Sequence, residues 1–171
     1  IASARTEIVI ANAYFLPGVH FRRALTQAAN RGVRVVLLLQ GRVEYALLHH
    51  ASRALYGRLL EAGVEIWEYH GGFLHAKVAV ADGHWATVGS SNIDPFSLLL
   101  AREANVVVED AAFAATLRTS LGAAMESRSR QVSADGWRRQ PWASRFMAWA
   151  SYGLARLFMG MAGYGRKYDE T

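Results

Sequence analysis

The feature that most restricts the fold is the run Val33-Arg34-Val35-Val36-Leu37-Leu38-Leu39, which is apolar at every position but one and rich in β-branched residues at its start. A run this short reads as a strand covered on both faces, and such a strand requires helices packed above and below a sheet. Residues 7–14 repeat the pattern through Ile8, Val9 and Ile10 and are followed by the break Pro17-Gly18. Between the two strands, Phe21, Leu25 and Ala28 recur at helical spacing over residues 21–30, and Arg31-Gly32 stops them. Residues 43–61 are expected to form a second helix closed by Gly63, and residues 64–69 alternate as a third strand.

Residues 74–81 and 85–90 are two further strands joined by Asp82-Gly83, a dipeptide suited to a tight hairpin turn. A strand over 103–109 and a helix over 110–128, with Asp110 as its N-cap, complete the pattern. The expected fold is α/β, a mixed and mainly buried β-sheet flanked by helices, with an amphipathic helical tail at the C-terminal end. The polar stretch 129–136 is expected to be a linker, which divides the chain into a domain over 1–128 and a basic aromatic tail over 137–171.

With 171 residues, 52% hydrophobic and 19% charged, the chain is globular in composition and long enough for one sizeable core. It contains no cysteine, which excludes disulfides, thiolate metal sites and a cysteine nucleophile. A net charge of +5 favours a polyanionic partner, either nucleic acid or an anionic membrane surface. The opening Ile1-Ala2-Ser3-Ala4 lacks the apolar run of a secretory signal, and the start is read as a cut inside a longer protein.

Chemistry enters at residues 75–77. On a strand, alternate side chains share a face, so His75 and Lys77 project the same way while Ala76 and Val78 project the other. Burying an imidazole and an ammonium in an apolar strand is costly without partners, and a site explains them better. Ser90 and Asn92, at the end of the next strand, bring a hydroxyl and an amide to the same edge of the sheet. Imidazole can attack phosphorus or donate a proton near neutral pH, and the remaining donors can hold phosphate charge as it builds in the transition state. Phosphodiester chemistry of this kind requires neither a metal nor a cofactor.

His75, Lys77, Asp82, Gly89, Ser90 and Asn92 together match, position by position, the HKD signature, and the chain resembles the C-terminal half of a phospholipase D superfamily enzyme. The resemblance implies a covalent phosphohistidine and two motifs per active site. The second motif would come from the preceding half of a longer molecule, which is the favoured reading, or from a second chain. It also implies catalytic roles for Glu103, as acceptor for a catalytic histidine, and for Asp82 as a signature residue, although an Asp-Gly turn suffices to explain Asp82. His49 and His50 read as surface residues, and His70 as a loop residue at the rim of the site.

The shared motif does not choose the phosphodiester. The tail does more, with Trp137, Trp142, Phe146, Trp149, Tyr152, Leu157 and Phe158 interspersed with Arg138, Arg139, Arg145 and Arg156. Indoles and arginines of this kind suit a lipid headgroup layer. A membrane-spanning helix and a helix packed on the protein itself are the competing readings. The motif-to-tail spacing, the segment Asn92-Ile93-Asp94-Pro95-Phe96-Ser97 and the ending Tyr168-Asp169-Glu170 look most like the bacterial cardiolipin synthases. That likeness implies a phosphatidyltransferase acting on phospholipid, with phosphatidylglycerol as substrate. It further implies a place at the bacterial inner membrane, peripheral or tail-anchored, with the catalytic domain on the cytoplasmic side. A phospholipase D-type phosphodiesterase or nuclease and an inactive membrane adaptor are the alternatives. In the loop after Asn92, the apolar run Leu98-Leu99-Leu100 is expected either to face lipid or to cover the core.

Overall fold

The computed structural model describes residues 1–161. The end of the expected tail, with Tyr168, Asp169 and Glu170, lies outside the described residues. The chain runs β1 (Glu7–Asn12), α1 (Val19–Asn30), β2 (Arg34–Gln40), α2 (Ala46–Arg53), α3 (Tyr56–Glu61), β3 (Glu65–Tyr69), β4 (Lys77–Ala81) and β5 (Trp85–Gly89). It continues through α4 (Pro95–Leu99), β6 (Asn105–Glu109), α5 (Ala111–Arg128), β7 (Ser129–Val132), α6 (Ala134–Arg138) and α7 (Trp142–Met161). The strands form one seven-stranded sheet in the order β6-β5-β4-β1-β2-β3-β7. β1, β2 and β3 are parallel, and every other pairing is antiparallel.

Alternation decides which side chains meet which layer. Ile8, Ile10, Val35, Leu37, Leu39 and Ile66 face the layer of α1, α2 and α3, where they meet Leu25, Leu55, Tyr56 and Leu59. Val9, Ala11, Val36 and Leu38 face the other way and meet Leu121 and Met125 of α5. Each fully buried Leu, Ile or Val contributes roughly 1.5–3 kcal/mol, so β1 and β2, buried on both sides, are the main source of stability. The reading of 33–39 as a doubly covered strand matches this arrangement.

Four expectations are corrected. The helix over 43–61 is two helices, because Ala54 and Leu55 break the ladder between α2 and α3. A short helix, α4, occupies the segment read as a loop after Asn92, with Asp94 capping it by accepting from the Phe96 and Ser97 N–H groups. Residues 129–136 are not a linker: Ser129–Val132 pairs antiparallel with β3, and α6 follows. A polar strand at the sheet edge carries no apolar alternation, which is why its sequence gives no strand signal.

The fourth correction concerns the tail. Helix α7 packs along α2, but it buries the small residues Ala148, Ser151 and Ala155 with Met159. Its large side chains point outward, with Trp142 80% exposed and Phe146 65% exposed. An ordinary amphipathic helix does the reverse, putting its bulk against the body. No helix among the described residues is long and apolar enough to cross a membrane.

The helix layer on the α1 side stops short of β4, β5 and β6. There the bare sheet face forms the floor of a groove of about 930 Å³, lined by Lys77 and Asn92 at one end and by Asp82, His84 and Trp85 at the other.

Candidate active site

The site forms where the C-terminal end of β1, the residues entering β4 and the loop after β5 meet. Asn12 pairs with Lys77 across β1 and β4, and the Ala13 N–H donates to the Ala76 carbonyl at 3.1 Å, so pairing extends past the formal start of the strand. Leu74, Ala76 and Val78 all pack into the α5-side core. Alternation therefore turns His75 and Lys77 to the opposite face. Lys77 is buried and lines the groove, with Nζ donating to the His75 carbonyl oxygen at 3.0 Å. Burial lowers its pKa, and the nearby charges of Glu103, Glu44 and Asp94 oppose that shift. The imidazole of His75 is exposed.

Asn92 is buried and lines the groove beside Lys77. Its Nδ2 donates to Ser97 Oγ at 3.3 Å, while its buried Oδ1 meets no partner among the described residues. The turn that brings Asn92 here depends on Gly89, where a Cβ would fall on the Asn105 side chain and within 2.5 Å of the Ala104 carbonyl oxygen. Ser90, expected to donate to phosphate, is instead occupied with the residue before β6: its Oγ accepts from the Ala104 N–H at 3.1 Å and donates to the Ala104 carbonyl oxygen at 3.4 Å. Ser91, which accepts from Asn105 Nδ2 at 2.8 Å, lines the groove.

Glu103 sits at the same corner, since its charge acts on both Lys77 and Asp94. Among the described residues it makes no hydrogen bond to His75. Asp82 lies at the far end of β4, and its expected catalytic role is corrected. Its residue has φ 50°, and its carboxylate accepts from the backbone N–H groups of Arg5, Thr6 and Glu7 and from the Thr6 hydroxyl, at 2.8–3.2 Å. Desolvation opposes ionisation of Asp82, but these donors outweigh it and hold the carboxyl well below its usual pKa. The aspartate of the motif ties the hairpin to the start of β1.

A family model described as "Cardiolipin synthase, PLD-like domain" matches residues 1–124. The chain belongs to this family. It is 41% identical over 164 residues to cardiolipin synthase B of Escherichia coli (strain K12), covering 96% of this chain and 40% of that protein. The chain thus spans about two fifths of the length of that relative. Among solved structures, the phospholipase D family member Nuc from Salmonella typhimurium superposes with a TM-score of 0.66 at 21% identity, covering 77% of this chain and 85% of Nuc. Phosphatidylserine synthase of Haemophilus influenzae Rd KW20 gives the same TM-score at 12% identity, over 97% of this chain and 42% of that one. Both likenesses show the phospholipase D fold.

Three residues of this PLD-like domain escaped the sequence reading. Asn12 is buried at the end of an apolar strand and accepts from the Ile93 N–H at 3.0 Å, which pins the Asn92 loop to β1. The buried Asp94 caps α4 in that loop, and its pKa is raised by burial against the bonds from Ser97 and Phe96. At the rim, Tyr14 donates to Glu44, whose charge reaches Lys77. A lone amide in the run Ile8-Val9-Ile10-Ala11-Asn12 was the available signal for the first of these. His49, read as surface, is half-buried, and burial pushes its pKa down to about 4. Among the described residues no group of His, Cys, Asp or Glu could hold a metal ion.

Proposed function

We propose that the chain is the C-terminal half of a phosphatidyltransferase of the cardiolipin synthase type. The observation that carries this reading is the groove: Lys77 and Asn92 mark one end of a bare sheet face, in a chain that spans two fifths of its relative. A sheet face left open over β4, β5 and β6 calls for a cover, and the preceding half of the longer protein supplies it together with a second histidine and lysine. One imidazole nitrogen then attacks phosphorus as the bond to the headgroup oxygen breaks, and the other histidine gives that oxygen its proton. In the second step the acceptor hydroxyl loses its proton to that same histidine and attacks phosphorus, which releases the first imidazole. Lys77 and the Asn92 amide hold the non-bridging oxygens in both steps. Glu103 orients a catalytic imidazole once the two halves meet.

Phosphatidylglycerol is the proposed donor, and a second glycerolipid hydroxyl the acceptor. The exposed indoles and phenyl groups of α7 support an attachment to the cytoplasmic face of the bacterial inner membrane. Incubating the full-length protein with phosphatidylglycerol vesicles is expected to yield cardiolipin and glycerol. Cleavage of DNA with no lipid product would replace this reading by the nuclease one, and inertness toward both would leave the adaptor.

A further inference from the structure

Away from the groove, α3, α6 and α7 enclose a second cleft of about 160 Å³, lined among others by Arg58, Glu61, Trp137, Arg145 and Trp149. Both guanidinium groups are exposed, and neither forms an ion pair among the described residues. Trp137 is only 9% exposed, and its indole N–H meets no acceptor among the described residues. The ring is held in place by a cation and a second aromatic ring: the Arg53 guanidinium lies 5.5 Å from its centroid while paired with Glu68 at 2.7 Å, and Tyr56 packs against it, tilted, at 5.2 Å between centroids. Gly57 makes the indole nitrogen accessible, since a Cβ there would come within 3.2 Å of it.

A fixed donor and two unpaired guanidinium groups around a cleft of this size are the chemistry that recognises a phosphate. The outward residues of α7 say where that phosphate comes from. Trp149 is half exposed at the cleft itself, and Trp142 and Phe146 continue the apolar surface on the same helix. Glu61 narrows the ligand further: a carboxylate repels a dianionic monoester but accepts from the hydroxyls of a glycerol headgroup. We propose that this cleft binds the headgroup of an anionic phosphodiester lipid, with phosphate on Arg58, Arg145 and the Trp137 N–H, while Trp149 and Phe146 enter the bilayer beside its acyl chains. This goes beyond the transfer reaction: it assigns a second lipid site, sharing no lining residue with the groove at Lys77, that holds the enzyme in one orientation on its substrate surface.

Cosedimentation of the full-length protein with vesicles of phosphatidylglycerol and phosphatidylcholine tests the assignment. Two arginines at a lipid surface are together worth roughly a thirtyfold change in binding, so Arg58→Gln combined with Arg145→Gln is expected to weaken it by about that factor. The control pair Arg23→Gln with Arg130→Gln removes the same charge elsewhere and is expected to weaken binding less than about threefold. Equal losses in the two pairs, or no loss in the first, would overturn the cleft. Gly57→Ala leaves charge unchanged and crowds the indole nitrogen. A severalfold loss is expected, and wild-type binding would remove Trp137 from the site. Inorganic phosphate at constant ionic strength is expected not to displace the protein, and displacement would mark a site for free phosphate instead of lipid. Wild-type turnover on a short-chain soluble diester is read separately, so failure of the transferase reading and failure of the cleft give different results.

Discussion

The parallel part of the sheet and its antiparallel part use the same short valine-rich strands and end in opposite conditions. Val9, Val35, Val36, Leu37 and Leu38 in β1 and β2 are wholly buried, while Val106 and Val107 in β6 are 64% and 56% exposed. Helices cover β1, β2 and β3 on both sides, whereas over β4, β5 and β6 the α1 side is bare. One region is covered on both faces, and the other leaves a face open to the groove. Lys77 lies on the seam between them, held by β1 on one side and open to the groove on the other. On the proposed function, stability and reactivity fall to different strands, and substitutions can separate them.

The largest effect is expected on turnover in the open region. His75→Ala and Lys77→Ala should each lower transfer in the full-length protein by roughly a thousandfold or more, because a nucleophile or acid and the charge on phosphate are lost. Neither variant should shift the denaturation midpoint appreciably, since neither side chain fills the core. Near-normal turnover in either one would break the assignment of chemistry to this seam.

Stability should rank the other way. Leu38→Ala is expected to cost about 3 kcal/mol in urea denaturation, through lost burial and a cavity between β2 and α5. Val107→Ala should cost less than about 0.5 kcal/mol in the isolated chain and more in the full-length protein, where the proposed preceding half would cover its face. Equal costs in both contexts would mean that β6 stays exposed.

A smaller effect sharpens the boundary at the hairpin. The Asp82 carboxyl has a lowered pKa in the folded chain, so its contribution is present above the unfolded value near 4 and is lost as pH falls toward the folded value. Asp82→Asn should therefore cost about 1 kcal/mol at neutral pH, a modest figure for so exposed a carboxylate, and the difference from the parent should shrink below about pH 4. A gap that persists unchanged into acid would point to packing instead of charge. Unchanged kcat per folded molecule would agree with a purely structural role for this aspartate.

What the sequence discloses follows the same division. Apolar runs, alternation and helical spacing made β1, α1, β2 and β3 legible, while α5 was marked by its cap Asp110. The motif located His75, Lys77 and Asn92 by chemistry that few other patterns share. It did not reveal that Asp82 works through the backbone of residues 5–7, since a carboxylate in a turn looks alike whether it reacts or clamps. Likewise Ser90 and Ser91 are indistinguishable in sequence, and only the structure shows Ser90 Oγ bonded to the Ala104 backbone and Ser91 Oγ accepting from the Asn105 amide. Strand β7 and the break between α2 and α3 were invisible because each is fixed by contacts from distant parts of the chain. The direction of α7 was hidden for a related reason: with apolar residues all around the helix, only the partner α2 settles which side is inside.

The seating of α7 on α2 carries one mechanical implication. Small side chains at that contact let the two helices pack closely along each other. Helix α2 begins immediately after Glu44 and Tyr45, and Glu44 is the acceptor for Tyr14 at the rim near Lys77. A displacement of α7 that carried α2 with it would therefore reach the Tyr14–Glu44 pair beside Lys77.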